Sequence, residues 1–429
     1  MRFKKELAII TGLLTWAFVF ITLDLFLKRS KAFYWAGSII FNISFLLYIW
    51  LYRQEFLKFL KIQPKSLIWS LSLFFLFILP YAFISVNPIA SIETFYLYYY
   101  TSLLIALLTG FYIYQSNSLL SLKKLFIFLS IIILLINFYY TLFLIFRCKG
   151  SVICFFTQAI DFVNFSLLKG IVITSFPYVF FFLLFTALFF EFSEKIKYLF
   201  LFTGLYNLFI LFLLGRRGAL LGLLVGALVL MLLTKNKKIR SCALAFVALT
   251  LFGLLIILPT KVGKEIFIRG DRINYLLTFQ YEKFAEAGSF GQRLYIWPIY
   301  LKKILEDPFS GTGLGRRVQK RALPQTNEKA LKLEHAHNIF LNLALQAGIQ
   351  ASLAFLILYL VVFRQSYRLW KQSGENLLIG ALFLFFIAYF IMSLLEGTEE
   401  GTRFTPFWMA LGLLMGEWAK RNNQSHVDK

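Results

Sequence analysis

Three short clusters in the chain carry residue types suited to an anionic substrate. The first is Leu214-Gly215-Arg216-Arg217-Gly218-Ala219-Leu220, where two adjacent guanidinium groups sit between apolar runs. A guanidinium presents its donors in a planar fork that matches phosphate oxygens, and partial removal from water strengthens the contact. The plainer reading is an interfacial anchor whose charges snorkel to the headgroups. The second cluster runs Phe290-Gly291-Gln292-Arg293-Leu294-Tyr295-Ile296-Trp297 and is followed by Pro308-Phe309-Ser310-Gly311-Thr312-Gly313-Leu314-Gly315. Its glycines neither follow a strand nor open a dinucleotide unit, so a tight turn explains them better than a nucleotide loop. Arg293 is either an anion ligand or a solvated helix charge. The third cluster, His335-Ala336-His337-Asn338-Ile339-Phe340-Leu341, holds two of the three histidines. A helix starting near His337 puts that imidazole at a positive dipole end, which disfavours protonation and leaves it able to accept a proton. The two histidines stand i, i+2, off a common helical face, with no third ligand type nearby, which speaks against zinc.

The elements that would position these clusters are membrane helices. Of 429 residues, 59% are hydrophobic and 15% charged, whereas a water-soluble domain carries about a quarter charged residues. Apolar runs of roughly 20 residues, the length needed to cross the hydrocarbon layer, recur almost throughout. They lie near Leu7–Leu27, Phe33–Tyr52, Leu67–Val86, Phe95–Tyr114, Leu125–Phe146, Ile171–Phe190, Tyr198–Leu214, Gly218–Leu233, Ile239–Leu258, Asn338–Phe363, Leu377–Leu395 and Phe404–Trp418. The first is too long for a signal peptide and lacks a small-residue cleavage site, so it reads as a retained span. The fold class expected is all-α: a polytopic integral membrane protein of about twelve transmembrane helices with a large helical periplasmic loop.

The net charge of +23 is scattered between apolar runs and forms no stripe, so topology explains it and nucleic acid does not. With the N-terminus inside, the inner segments hold 21 Lys and Arg and the short outer ones nine, among them Arg216, Arg217 and Arg403. The positive-inside rule then puts both termini in the cytoplasm and all three clusters on the outer side. The chain divides into residues 1–258 with spans one to nine, residues 259–335 as the periplasmic loop, and residues 336–429 with spans ten to twelve and a cytoplasmic tail. Within the loop, Glu265–Ala287 and Arg293–Glu306 read as amphipathic helices separated by Gly288 and Gly291, and Pro308 to Gly315 as a turn region. A loop this long with helices of its own is usually functional. Arg147 to Lys169 is too polar to span, and its phenylalanines suit the outer interface. Cys148 and Cys154 could pair there, although two unpaired thiols are the expected state. Glu396, Glu399 and Glu400 could contact a substrate, but a solvated acidic hairpin is the default reading.

Taken in order along the chain, the clusters resemble the O-antigen ligase and polymerase superfamily. The resemblance rests on Arg217-Gly218-Ala219 opening a mid-chain span, and on Arg293 with Trp297, Pro308, Gly311, Gly313 and Gly315 in an outer loop. His337-Asn338 opening the next span, with Gly348 eleven residues after His337, completes it. It covers roughly Tyr198 to Trp418. Arg216 stands where the family often has a small hydroxyl residue, and His335 matches a less constant position. The resemblance implies an enzyme of the inner membrane, working at its periplasmic face, that transfers a glycan from undecaprenyl diphosphate to a hydroxyl of lipid A-core. It implies no nucleotide sugar and no required metal or other cofactor. On this reading Arg217, Arg293 and His337 are catalytic, and Arg216, His335 and Asn338 contact substrate. An O-antigen polymerase or a protein O-oligosaccharyltransferase shares the donor and differs in the acceptor. A transporter of lipid-linked glycans would need ionisable residues in mid-span, whereas Asp24 and Glu93 lie near span ends.

Overall fold

A computed structural model describes residues 31–116, 123–148, 175–213, 217–257, 288–323, 336–395 and 404–427. The expected first span, Arg216, His335, the acidic hairpin and most of the Arg147 to Lys169 segment lie outside them. Every element among the described residues is helical. In chain order these are α1 (Lys31–Leu51), α2 (Arg53–Ile62), α3 (Lys65–Ile78), α4 (Pro80–Phe83), α5 (Pro88–Thr94), a π-helical turn (Phe95–Tyr100), α6 (Thr101–Ser116) and α7 (Lys123–Cys148). There follow α8 (Ser175–Glu191), α9 (Lys197–Leu213), α10 (Arg217–Leu233), α11 (Lys237–Ile257), α12 (Gly288–Glu306), α13 (Arg316–Ala322), α14 (Ile339–Gln372), α15 (Leu377–Leu395) and α16 (Thr405–Val427).

Among the described residues, five helical stretches are long and apolar enough to cross a membrane: Lys65–Phe83, Pro88–Gln115, Lys123–Leu142, Ile339–Gln372 and Leu377–Leu395. A sixth is reached if α1 and α2, bent by 98° at their junction, count as one span. The apolar helices Ser175–Glu191, Lys197–Phe212, Arg217–Leu233 and Ile239–Gly253 are shorter. Large side chains such as Trp50, Trp69, Leu135 and Leu249 point outward, giving an apolar exterior far beyond what a water-soluble protein tolerates.

Since lipid tails are as apolar as leucine, close packing and interhelical hydrogen bonds must hold such helices together. Small residues provide the first. A Cβ on Gly412 of α16 would stand 2.6 Å from the Ala106 carbonyl oxygen of α6, and one on Gly222 of α10 would stand 2.8 Å from that of Ala388 in α15. Polar pairs provide the second: Asn137 of α7 donates to Asn207 of α9 at 3.1 Å and accepts from the Tyr178 hydroxyl of α8 at 3.1 Å. Buried Phe and Trp side chains of α3, α14 and α16 fill the centre, with the Phe355 ring in tilted contact with those of Phe74, Phe404 and Phe407.

The two ends of the bundle differ in chemistry. One end gathers the Lys123–Glu194 ion pair, the Glu191–Asn376 bond and a knot around Glu375, which accepts from Lys371, Thr234 and the backbone N–H groups of Lys235 and Asn236. α2 lies there too, burying Phe56 and Phe59 while Lys58 and Lys61 stay exposed. The opposite end holds α4, α5, α12, α13 and the start of α14.

Two expectations are corrected. The helix expected at Arg293–Glu306 begins earlier, at Gly288, and runs through Gly291, while the helix expected at Glu265–Ala287 lies outside the described residues. Cys148 is disulfide-bonded, not a free thiol, whereas Cys242 is free and exposed; Cys154 lies outside the described residues.

Candidate active site

The site is built around an interrupted helix. α14 keeps helical hydrogen bonding from Ile339 to Gln372 except at Ala347 (φ −139°, ψ 19°) and Gly348 (φ 80°, ψ 165°), where the backbone turns out of the helix. Such a break strands carbonyl and N–H groups that a buried environment must satisfy. The Pro308–Gly315 turn supplies the partners. Thr312 N–H donates to the Leu345 carbonyl at 3.0 Å, Gly313 N–H to the Gln346 carbonyl at 3.0 Å, and Ile349 N–H to the Pro308 carbonyl at 2.9 Å. Gly315 N–H donates to the Gln346 side chain at 3.2 Å. The turn therefore approaches the helix backbone directly, and Gly313 (φ 105°) and Gly315 (φ 102°) adopt the left-handed conformations this requires. The glycine pattern is a tight turn, as its sequence suggested, and its hydrogen-bonding groups are directed at protein.

A third segment locks the turn from the other side. Val86 N–H donates to the Thr312 carbonyl at 3.2 Å, Tyr81 hydroxyl to the Phe309 carbonyl at 2.7 Å, and Leu314 N–H to the Ser91 hydroxyl at 2.7 Å. Gln350, just past the break, also donates to the Phe309 carbonyl, at 2.8 Å. Tyr81, Ser91, Gln346 and Gln350 escaped sequence reasoning. The only signal was the need of three glycines for a close neighbour, which does not say where that neighbour lies.

His337 stands two residues before α14 and is half-buried, with its backbone at φ 53°. Few non-glycine residues adopt that conformation, and it merits a functional or structural reason. Asn338 is the N-cap: its side-chain oxygen accepts from Phe340 N–H at 2.9 Å and Leu341 N–H at 3.2 Å. Its amide donates to the Leu394 carbonyl at 3.4 Å. Asn338 thus caps α14, the role its residue type favours at this position.

Arg293 lies on α12, half-buried, with Nε out of solvent. Trp297, one turn along on the same helical face, donates its indole N–H to the Ala336 carbonyl at 2.8 Å. That carbonyl belongs to the peptide joining Ala336 to His337, so Arg293 and His337 sit on directly joined elements. Around the junction Ile296, Tyr300, Leu323, Ala336 and Leu345 form a separate small core that fastens α12 to α14.

Arg217 is the exposed first residue of α10. Gly222 meets Ala388 and Gly226 meets Leu384, so α10 and α15 run antiparallel, and the same register sets Arg217 opposite Ser393. Asn338 bonds the neighbouring Leu394 carbonyl, so Arg217 and the start of α14 share the same end of α15. The structure thus brings Arg217, Arg293 and His337 to one end of the bundle. Together they offer two planar cationic forks and one imidazole at the rim of an apolar body, a set able to hold an anionic group and to exchange a proton.

Comparison with known proteins bears on the same region. The family model described as "O-Antigen ligase" matches residues 199–356, a stretch that contains all three residues. A relative from Acinetobacter baylyi (strain ATCC 33305 / BD413 / ADP1), the ComP-specific O-oligosaccharyltransferase, is 27% identical over 202 residues. The match covers 46% of this chain and 34% of that relative, so the chain spans about a third of its length. Over this stretch the chain is similar to the O-antigen ligase family, and its long apolar helices make it a multi-pass membrane protein.

Proposed function

We propose that this protein is an O-antigen ligase: a glycosyltransferase that moves a glycan from undecaprenyl diphosphate to a hydroxyl of lipid A-core at the periplasmic face of a bacterial inner membrane. The observation that carries the reading is the meeting of Arg217, Arg293 and His337 at one end of the bundle, within the region matched by the ligase family. A lipid diphosphate presents its charges at the depth where those groups lie, at the edge of an apolar body. Orientation is supported by the basic residues gathered at the opposite end and by the disulfide at Cys148, since disulfides persist in oxidising compartments. On this reading the shorter apolar helices complete about twelve crossings, and residues 259–335 form the periplasmic loop.

In the reaction, Arg217 and Arg293 hold the diphosphate and stabilise the charge that grows on it as the bond from the anomeric carbon to the phosphate oxygen breaks. His337 takes the proton of the acceptor hydroxyl, whose oxygen forms the new bond to the anomeric carbon from the opposite face. Undecaprenyl diphosphate leaves with the bonding electron pair. One displacement inverts the anomeric centre without a glycosyl-enzyme intermediate. Arg216, His335 and Asn338 are assigned to substrate by the same reading.

A second reading has a specific observation in its favour: the relative named above is a ComP-specific O-oligosaccharyltransferase, and on that reading the acceptor here is a protein hydroxyl. One experiment separates the two. Purified protein is given undecaprenyl-diphosphate-linked glycan and, in separate reactions, lipid A-core, a nascent glycan chain or a serine-bearing acceptor peptide. Glycosylation of lipid A-core is expected. Labelling of the peptide alone would establish the second reading, labelling of nascent glycan alone would indicate a polymerase, and no transfer to any acceptor would overturn the assignment.

A further inference from the structure

The residue before His337 is held by both of its backbone polar groups. Its carbonyl accepts from the Trp297 indole at 2.8 Å, and Ala336 N–H donates to the Asn342 side-chain oxygen at 2.8 Å. Ala336 itself is fully buried. Asn342 is fully buried on the first turns of α14, where an amide side chain has no place on packing grounds alone. Its own N–H continues the helix by donating to the Asn338 carbonyl at 3.0 Å. Its carbonyl accepts from the Gln319 amide of α13 at 3.3 Å, while the side-chain oxygen lies 3.5 Å from that amide. Asn342 thus joins three segments: the chain entering His337, the capped start of α14, and α13 beyond the glycine turn.

The consequence falls on the imidazole. The peptide from Ala336 to His337 is oriented by Trp297, and Asn338 on the other side is fixed by its cap, so His337 is suspended between two immobilised peptides with φ at 53°. A backbone in that region relaxes toward commoner angles unless its surroundings over-determine it. Releasing either end of Ala336 permits that relaxation and swings the side chain, and a displacement of about 1 Å at a reacting group can cost roughly 100-fold in rate.

We propose that Asn342, acting with Trp297 through the Ala336 peptide groups, is the positioning residue that aims His337 at the acceptor hydroxyl. The proposal rests on the reading of His337 as the base. Asn342 touches no substrate, and its effect is confined to the step His337 performs.

The test is a cycle of variants measured for transfer from undecaprenyl-diphosphate-linked glycan to the acceptor identified above. Asn342→Leu keeps the γ-branched shape and removes the acceptor oxygen, whereas Asn342→Asp retains an oxygen. The Leu variant is expected to lower kcat roughly 10- to 100-fold with KM for the donor unchanged, and the Asp variant to recover part of the loss. In a His337→Ala background, Asn342→Leu should cause no further loss, because the group it aims is gone. Trp297→Phe deletes only the indole N–H and keeps the ring, so it repeats the test at the other end of Ala336 if the Leu variant does not fold. An equal loss with and without His337, or a fall in folded protein that accounts for the whole effect, would overturn the positioning role. Unchanged transfer by His337→Ala alone would instead overturn the base assignment.

Discussion

Gly311 lies against the backbone of Gln346 so closely that a Cβ on the glycine would stand 2.1 Å from the Gln346 carbonyl oxygen and 2.5 Å from the Ala347 Cα. The obstacle is backbone at the break of α14, so no side-chain rotation relieves it. Gly311→Ala is expected to destabilise the protein by about 3 kcal/mol, at the upper end of the range for overpacking, and to abolish transfer because the outer turn and the start of α14 separate. The matched control is Gly253→Ala in α11, where no described atom lies within 4 Å of the added Cβ. Thermal unfolding in detergent should show a lowered Tm for the first and no loss for the second; equal behaviour would remove the turn from its seat in the helix break.

Asn338 offers a test of capping against substrate contact. Loss of an N-cap side chain costs about 1 kcal/mol, and serine at that place retains most of the cap. Asn338→Ala should therefore lower Tm and Asn338→Ser restore it, with the KM for the lipid-linked donor the same in both. A rise in donor KM that serine fails to correct would return Asn338 to the substrate.

Arg293→Lys keeps the charge and loses the planar fork. If Arg293 grips a diphosphate, the lysine variant loses 10-fold or more in kcat/KM for the donor, a cost of roughly 1.4 kcal/mol in transition-state stabilisation. Folding, read from Tm, stays intact. Donor use equal to that of the unaltered protein would reduce Arg293 to a helix charge, and the same measurement on Arg217→Lys tests the other half of the clamp.

Glu375 gives a pH dependence at the far end of the bundle. Burial alone would raise its pKa, but hydrogen bonds from Lys371, Thr234 and the backbone of Lys235 and Asn236 outweigh it and hold the carboxyl at about 2, against an ordinary 4.5. A carboxylate whose pKa is depressed on folding contributes stability that is complete above its unfolded value and vanishes as pH falls through the folded one. Glu375→Gln should therefore lower Tm at neutral pH, and the gap to the unaltered protein should narrow between about pH 4.5 and pH 2. A gap that stays constant over that window would show that the knot does not depend on the charge.

The membrane helices were legible because crossing the hydrocarbon layer imposes length and apolarity on contiguous residues. The span expected at Leu377–Leu395 is α15 residue for residue, and that expected at Gly218–Leu233 is α10 less Arg217. The bend between α1 and α2 was not legible, since Arg53 to Ile62 reads as a charged connection until Phe56 and Phe59 are seen packed inward. Nor was the break at Ala347, because the apolar pattern runs through it and a lone glycine in a membrane helix is common. Arg217, Arg293 and His337 could be selected by residue type and order. What holds their elements, namely Ser91 on the turn, Trp297 on Ala336 and Leu394 on Asn338, depends on long-range pairing that no local pattern encodes.

The gap at Ala347 and Gly348 also separates two mechanical duties. A continuous rod from Ile339 to Gln372 would act as a lever, and any change of bilayer thickness or lateral pressure that tilted its lower part would sweep His337 through an arc at the top. Severed there and bolted to Thr312 and Gly313, the short upper piece takes its bearing from the glycine turn. The lower rod is pinned to the same turn only at its first residues, Ile349 and Gln350, so a tilt of its far end pivots at the break and leaves the aim of the imidazole to the turn.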